Sequence, residues 1–432
     1  MGPGQRRVAL ILVAVISVNA SYTVLIPFVP DLEGRVGAGP AVIALTFALF
    51  AAAKALAQPV GGWWVDRWRA STVAFVALII AAAGIVLTAL ARDSLTLLAG
   101  RVFWGVGEGL VSPALYAGMT ALCRHYGIST SRMMGNFSSA AVAGFLLGPL
   151  VAGVAAPVGL EALFLVGAAV TAVTAFGLLR AIPPSSPAAL ENPEPDAPTA
   201  DGADGTDGAT ARRWWLWVLV LGGLDMFTSL IYTALEPVLP LYLSTGQDTS
   251  ARTAISVVFV VGLAVSGLSM WALGRYAERL RLVTLIGTGL AFLAVGLAGM
   301  AIRASVLPVA GWFVVFMVGY AVLFLTARRG IVELRSATTH QGKAFGLFGA
   351  VSDIGNVLGP IVGTVLYELT GRVSFVLLGA MGGLLLAALV VAAGRRRNFL
   401  GGFLASAPAD PPRRPETAEV LEPELVGQGR VR

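Results

Sequence analysis

The chain has 432 residues, of which 56% are apolar and 12% charged, where an ordinary soluble domain carries about 25% charged residues. That balance excludes a soluble globular protein and leaves a polytopic membrane protein. The single cysteine, Cys123, excludes an intramolecular disulfide, and the histidine nearest to it, His125, has no further Cys or His at ligand spacing, so no metal is expected.

Crossing the hydrocarbon takes ~20 mostly apolar residues, and twelve such runs are predicted. They lie near 8–30, 40–62, 71–91, 94–119, 134–156, 160–180, 214–243, 252–274, 282–302, 306–327, 345–367 and 373–394. The first follows Arg6 and Arg7 and is too long for the apolar part of a cleavable signal, so it reads as span 1. Between spans 6 and 7, residues 183–213 are rich in Pro, Ala, Gly and Asp and are expected to be a disordered tether. Residues 398–432 have the same character. The expected division is therefore a six-helix bundle over 1–182, a linker over 183–213, a second six-helix bundle over 214–397 and a disordered tail over 398–432.

The net charge of +6 follows the membrane rather than a nucleic acid. With a cytoplasmic start, the inner loops and span ends collect Arg6, Arg7, Arg67, Arg69, Arg212, Arg213, Arg275, Arg279, Arg281, Arg328, Arg329 and others, while the outer loops hold Arg35, Arg92, Arg252, Arg303 and Arg372. This positive-inside asymmetry predicts a plasma (inner) membrane protein with both termini in the cytoplasm.

Three patterns occur twice. Gly135, Gly144, Gly148, Pro149 and Ala152 in span 5 return at the same intervals as Gly346, Gly355, Gly359, Pro360 and Gly363 in span 11. Tyr22-Thr23-x-Leu25-x-Pro27-x-x-Pro30 returns as Tyr232-Thr233-x-Leu235-x-Pro237-x-x-Pro240. Gly62, Asp66, Arg67 and Arg69 after span 2 return as Gly274, Glu278, Arg279 and Arg281 after span 8. The chain is thus two copies of one membrane module, an arrangement that suits two halves rocking about a site between them. The repeated glycines predict close helix crossings, since small residues let backbones approach in lipid, and Pro149 and Pro360 kink or stiffen their helices.

These residues resemble a twelve-helix major facilitator, most similar to the drug:proton antiporter branch. Gly62, Asp66 and Arg67 match the signature after helix 2, with Arg69 where a second glycine is usual. Arg101 and Gly105 match the helix 4 signature, and Gly135 to Gly153 the helix 5 pattern associated with antiporters, with Ala152 in place of a glycine. Asn19 and Ser21 stand in span 1 where some multidrug relatives carry an acid. The resemblance implies an all-α membrane fold of two pseudo-symmetric six-helix halves. It also implies a small-molecule substrate, protons as the coupling ion, no cofactor and a monomer.

A charge inside the bilayer costs a few kcal/mol or more, so each one retained invites a role. Lys54 lies nine residues from Trp63, ~14 Å deep, and Asp353 eight from Phe345, ~12 Å deep. The resemblance sets spans 2 and 11 face to face, so these two either pair across the halves or separately border an aqueous cavity. Arg101 is a candidate for holding an anionic group or a carboxylate. Glu108, seven residues on, is a candidate proton carrier because burial works against a charged carboxylate, or else a structural polar contact. Asp225, Glu236 and Asp353 are the other proton-coupling candidates, Asp225 having as its alternative a packing hydrogen bond to Thr228 or Ser229. Asn19, Trp104, Tyr232 and Tyr320 complete the candidates for substrate contact. Asp66 is expected to sit near the start of span 11, whose N-terminal dipole attracts a carboxylate and would latch the inner gate.

A proton-coupled exporter of a small amphipathic compound is the leading expectation, and an uptake symporter the alternative. An enzyme is not expected, since no intramembrane Ser/His arrangement or metal-ligand cluster occurs. ATP drive is not expected either, because Gly342-Lys343-Ala344 lacks the glycine-rich loop of a nucleotide site.

Overall fold

In hydrocarbon every backbone N–H and C=O must be satisfied within the chain, which leaves helices for single spans. The computed structural model obeys this: the residues it describes, 3–37, 39–126, 130–182, 214–243, 249–276, 280–333 and 341–395, are helical apart from short turns. The linker 183–213, the tail 398–432, Glu278 and Arg279 lie outside them, as do the side chains of Asp66 and of the residues opening span 11. The expected Asp66 latch therefore also lies outside what is described.

In the first half the helices are α1 (Pro3–Thr23), α2 (Val29–Val36), α3 (Pro40–Arg67), α4 (Ala70–Leu90), α5 (Ser94–Tyr126), α6 (Thr130–Val154) and α7 (Leu160–Ala181). The second half holds α8 (Trp214–Leu243), α9 (Thr249–Tyr276), α10 (Leu282–Met300), α11 (Val306–Glu333), α12 (Gln341–Thr370) and α13 (Val373–Arg395). Leaving aside α2, each helix answers to one predicted span. Among the described residues nine stretches are long and apolar enough to cross a membrane, and those of α6 and α13 fall just short in length. The remaining helix, α5, carries Arg101, Glu108 and four glycines between Gly100 and Gly109. The described residues up to Leu386 form one compact unit.

Span 1 departs from its expected single helix. After Thr23 the chain turns, passes through a 3-10 segment at Ile26–Phe28 and restarts as α2 at Val29. Pro27 and Pro30 withhold the N–H groups that a continuous helix would use there. The matching Pro237 and Pro240 stay inside the continuous α8, so the same sequence pattern is broken in one half and unbroken in the other.

The duplicated patterns meet each other in space. α6 packs on α1 and α12 on α8. A methyl group at Gly144 would collide with Ile16 and Asn19 of α1, and one at Gly148 with Thr23. At Gly355 it would strike the Met226 carbonyl, and at Gly359 the Thr233 hydroxyl. Thr23 Oγ1 donates to the Phe145 carbonyl at 3.2 Å, and Thr233 Oγ1 to the Gly355 carbonyl at 3.4 Å, each 122 positions along. The glycines thus bring two backbones close enough for one hydroxyl to bridge them, once per half. Gly363 meets Ala234, while Ala152 fills the corresponding place in α6.

This packing makes a prediction with its own control. Gly355→Ala forces a methyl into the Met226 backbone, and overpacking of this kind costs about 1–3 kcal/mol. Gly349, on the same helix, has open space where its Cβ would stand. The expected result is a lower melting temperature for Gly355→Ala and an unchanged one for Gly349→Ala. Equal melting of the two would show that the close crossing is not sterically tight.

Between the halves, α3 packs on α12 and α6 on α9. The helix ends bearing Arg67 and Arg69 are called the basic end, and those bearing Arg35, Arg92 and Arg252 the far end.

Candidate functional site

Ionisable residues of the helix interiors gather in two layers. Arg101 lies seven residues into α5 from Ser94, and Glu236 seven residues short of Leu243 in α8, so both sit ~10 Å from the far end. Glu236, 1% exposed, accepts a 2.5 Å hydrogen bond from the Tyr22 hydroxyl, which belongs to α1 of the other half. The charge of Arg101, also in the first half, acts on Glu236 as well. Tyr232 is one helical turn before Glu236 on the same face. Tyr320 of α11 stacks near it at 4.8 Å between ring centres.

Arg101 is fully buried among rings. Its guanidinium centre lies 4.4 Å from the Phe50 ring centre, 4.7 Å from Trp104 and 5.7 Å from both Tyr22 and Phe47. Nε donates to the Thr46 carbonyl at 2.9 Å. Nη1 and Nη2 find no acceptor among the described residues, and the Tyr232 hydroxyl likewise has no partner there. Buried polar groups are almost always hydrogen-bonded, so three unsatisfied groups on two residues of this layer mark it out.

Nearer the basic end the charges are paired within each half. Lys54 Nζ donates to Glu108 Oε2 at 3.0 Å and Trp104 Nε1 to Oε1 at 3.0 Å, which engages both oxygens of Glu108. Arg328 Nη1 lies 2.6 Å from Asp225 Oδ1, and the Ser352 hydroxyl donates to Oδ2 at 2.5 Å. Asp353 accepts from Asn356 on its own helix at 3.2 Å. The contact allowed between Lys54 and Asp353 is therefore not the one formed: Lys54 reaches Glu108 in its own half, and only its longer-range field acts on Asp353. Asp225 bonds Arg328 and Ser352 rather than Thr228 or Ser229, whose neighbour Thr228 turns back to the Leu224 carbonyl. Asn19 donates to Val15 within α1.

The two layers differ in access. Arg101 and Glu236 are sealed, whereas Lys54 and Arg328 keep 33% and 41% of their side chains exposed. Both of those charges, from opposite halves, act on the Tyr116 hydroxyl. A charge left accessible at this depth faces a wet space rather than lipid.

At the far end α2 is tied in two directions. Arg35 donates to Glu161 of α7 at 3.0 Å, and Arg92 joins the same carboxylate at 3.1 Å, both within the first half. Asp31 binds Arg252 of α9 in the second half through two contacts, one of them Nε to Oδ2 at 2.8 Å. Arg252 also donates to the Ala156 carbonyl at 3.1 Å and stands 5.6 Å from the Phe28 ring centre.

The sequence pointed to neither of the cross-half links. Tyr22 and Arg252 were visible, one in a repeated pattern and one as an outer-loop cation, but no spacing pairs residues more than 200 positions apart. Arg328 looked like a loop cation and belongs to α11.

Comparison with known proteins accords with this geometry. No curated protein matches the chain. Among solved structures, that of the nucleoside transporter NupG is similar over 90% of this chain and 99% of that one, with 13–14% identity and a TM-score of 0.72. A bacterial homologue of the human lysosomal transporter Spinster, in an inward-facing and occupied conformation, is similar over 91% of this chain and 98% of that one, with 17% identity and a TM-score of 0.70. At such identities the likeness speaks for the fold alone. The family profile carries the assignment, matching residues 11–327 and 226–421, and with two related six-helix halves enclosing paired charges, the chain belongs to the Major Facilitator Superfamily of membrane transporters.

Proposed function

We propose that the protein is a proton-coupled antiporter that exports a small amphipathic molecule, with Glu236 as the coupling acid. The observation that carries the reading is the Tyr22–Glu236 hydrogen bond, which joins the two halves beside Arg101. Glu108 and Asp225 each have a cation within their own half, so their charge is satisfied whichever way the halves lean. Glu236 takes its bond from the opposite half. Its ionised form strengthens that bond, since charge-assisted hydrogen bonds are roughly twice as strong as neutral ones, and adds the attraction of Arg101. Tyr232 and Tyr320, the other titratable neighbours, add no charge of their own.

The consequence separates antiport from symport. A symporter must let its empty, deprotonated form rock back across the membrane, whereas an antiporter must forbid that step or lose the gradient. A carboxylate that holds the far end shut when ionised and empty is an antiporter's lock. Protonation, or a substrate that takes the place of the lock, lets the halves move. The positive-inside asymmetry assigns the basic end to the cytoplasm, so the exposed layer of Lys54, Tyr116 and Arg328 is where substrate enters.

Inverted vesicles with an acidified lumen test this. A transported solute is expected to alkalinise the lumen as it accumulates, because protons leave in exchange. A solute whose entry acidifies the lumen further would establish symport and overturn the reading.

A further inference from the structure

We propose that the far layer binds a zwitterion, an ammonium and a carboxylate carried on neighbouring atoms beside an aromatic or apolar tail, placed between Arg101 and Glu236. The idea deepens the antiport reading and rests on it for its transport consequence. Three observations carry it. Arg101 Nη1 and Nη2 are buried donors with no acceptor among the described residues, and a carboxylate is the group that matches a guanidinium fork in shape and charge. Glu236 holds one protein donor, the Tyr22 hydroxyl, and retains acceptor capacity for an ammonium. The Tyr232 hydroxyl, one turn from Glu236, is a further unspent donor.

Charge balance decides between zwitterion, cation and anion. Arg101 and Glu236 together are neutral, and a zwitterion leaves them so. A simple amine would bring a second positive charge into a buried layer and leave the Arg101 donors unmet, while a simple carboxylate would do the converse beside Glu236. Either imbalance is costly where charges are out of water. Competition with the proton points the same way. Linkage requires that a ligand which favours protonation of Glu236 travels with the proton, and a lone anion beside Glu236 does that. An ammonium on Glu236 instead excludes the proton, as exchange demands. The rings of Tyr22, Phe50, Trp104, Tyr232 and Tyr320 supply the apolar wall for the tail.

Three probes of one shape test the inference by calorimetric titration of the purified protein at fixed pH, with no gradient present. Phenylalanine carries both charges, 2-phenylethylamine the ammonium alone and 3-phenylpropanoate the carboxylate alone. Phenylalanine is expected to bind at least tenfold more tightly than either of the others. In Arg101→Gln its affinity should fall to that of the amine, and in Glu236→Gln to that of the propanoate. The comparison on the unaltered protein stands alone should either variant fold poorly. Amine binding as tight as phenylalanine, propanoate binding as tight, or no binding by any of the three would each overturn the proposal. Because binding is read without a proton gradient, its failure is distinct from a failure of antiport, which the vesicle measurement reports for whatever solute is carried.

Discussion

Glu236→Gln is expected to abolish proton-driven accumulation while leaving a passive exchange of substrate that needs higher substrate concentrations. The amide keeps the shape and can still accept from Tyr22, but it neither ionises nor attracts Arg101. What is lost is the difference between a charge-assisted and a neutral hydrogen bond together with that attraction. Hydrogen bonds to charged groups contribute about 1.5–3 kcal/mol and neutral ones about 1 kcal/mol. The net change, of order 1–2 kcal/mol, moves the balance between closed and open far ends by roughly 5- to 30-fold. The variant should therefore behave as a carrier with its lock released: it rocks when empty, equilibrates substrate, and no longer responds to the pH gradient.

Glu108→Gln makes the natural comparison, because Glu108 is also buried and lies near mid-membrane. Its loss strands Lys54, whose contact partner it is, so a fall in transport rate or in yield of folded protein is expected with the pH dependence of the remaining activity intact. Flux in proteoliposomes under an imposed gradient, at matched amounts of inserted protein, reads both variants. If Glu236→Gln still concentrates substrate with unaltered pH dependence while Glu108→Gln does not, the coupling acid is Glu108 and the cross-half bond is structural.

How far the sequence foretold this arrangement depends on the range of the interaction. Helix positions and the close crossings at the repeated glycines were legible, because glycine spacing is set by contact between neighbouring backbones and repeats whenever the module repeats; that the partners are α1 for α6 and α8 for α12 was not. The Thr23 and Thr233 bonds sit within the same repeated patterns. The break after Thr23 was not legible, since Pro27 and Pro30 have counterparts in Pro237 and Pro240 that leave α8 whole. Charges were foreseen as functional but not in their pairings. Hydropathy places Lys54, Glu108, Asp225 and Asp353 at similar depths without saying which faces point together, and rotation of a helix about its axis decides that. The two side-chain pairs that join the halves among the described residues, Tyr22 to Glu236 and Asp31 to Arg252, lie 214 and 221 positions apart, beyond any local pattern.

Arg252→Gln is expected to open the far end. The pair it forms with Asp31 is mostly out of solvent, with side chains 17% and 15% exposed, and breaking a buried pair costs about 3–5 kcal/mol because the survivor is left uncompensated. Partial exposure reduces that figure, and the Ala156 carbonyl loses a donor as well. These contacts fasten α2, a short helix set off from α1 by the 3-10 segment, to α9 of the opposite half. Losing them frees α2 to follow its own half when the halves part. Spin labels at Leu95 and Leu307, which are exposed near the far-end starts of α5 and α11, report the separation once Cys123 is replaced by serine. A longer mean distance, or a second longer population, is expected for Arg252→Gln and for Asp31→Asn. The double exchange Asp31→Arg with Arg252→Asp should recover part of the closed population. Recovery stays incomplete because the new arginine no longer reaches Ala156 or the Phe28 ring from α9. Glu161→Gln supplies the contrast: it weakens the ties to Arg35 and Arg92, which lie within one half, and because Glu161 itself is 42% exposed and Arg92 68% exposed the loss is expected to be small, the Arg92 pair being worth about 0–1 kcal/mol. Its distance distribution should match that of the unaltered protein. If Arg252→Gln leaves the distances unchanged as well, the far end is held by helix packing and by Tyr22 with Glu236, and the Asp31–Arg252 pair is a surface contact that the transport cycle does not use.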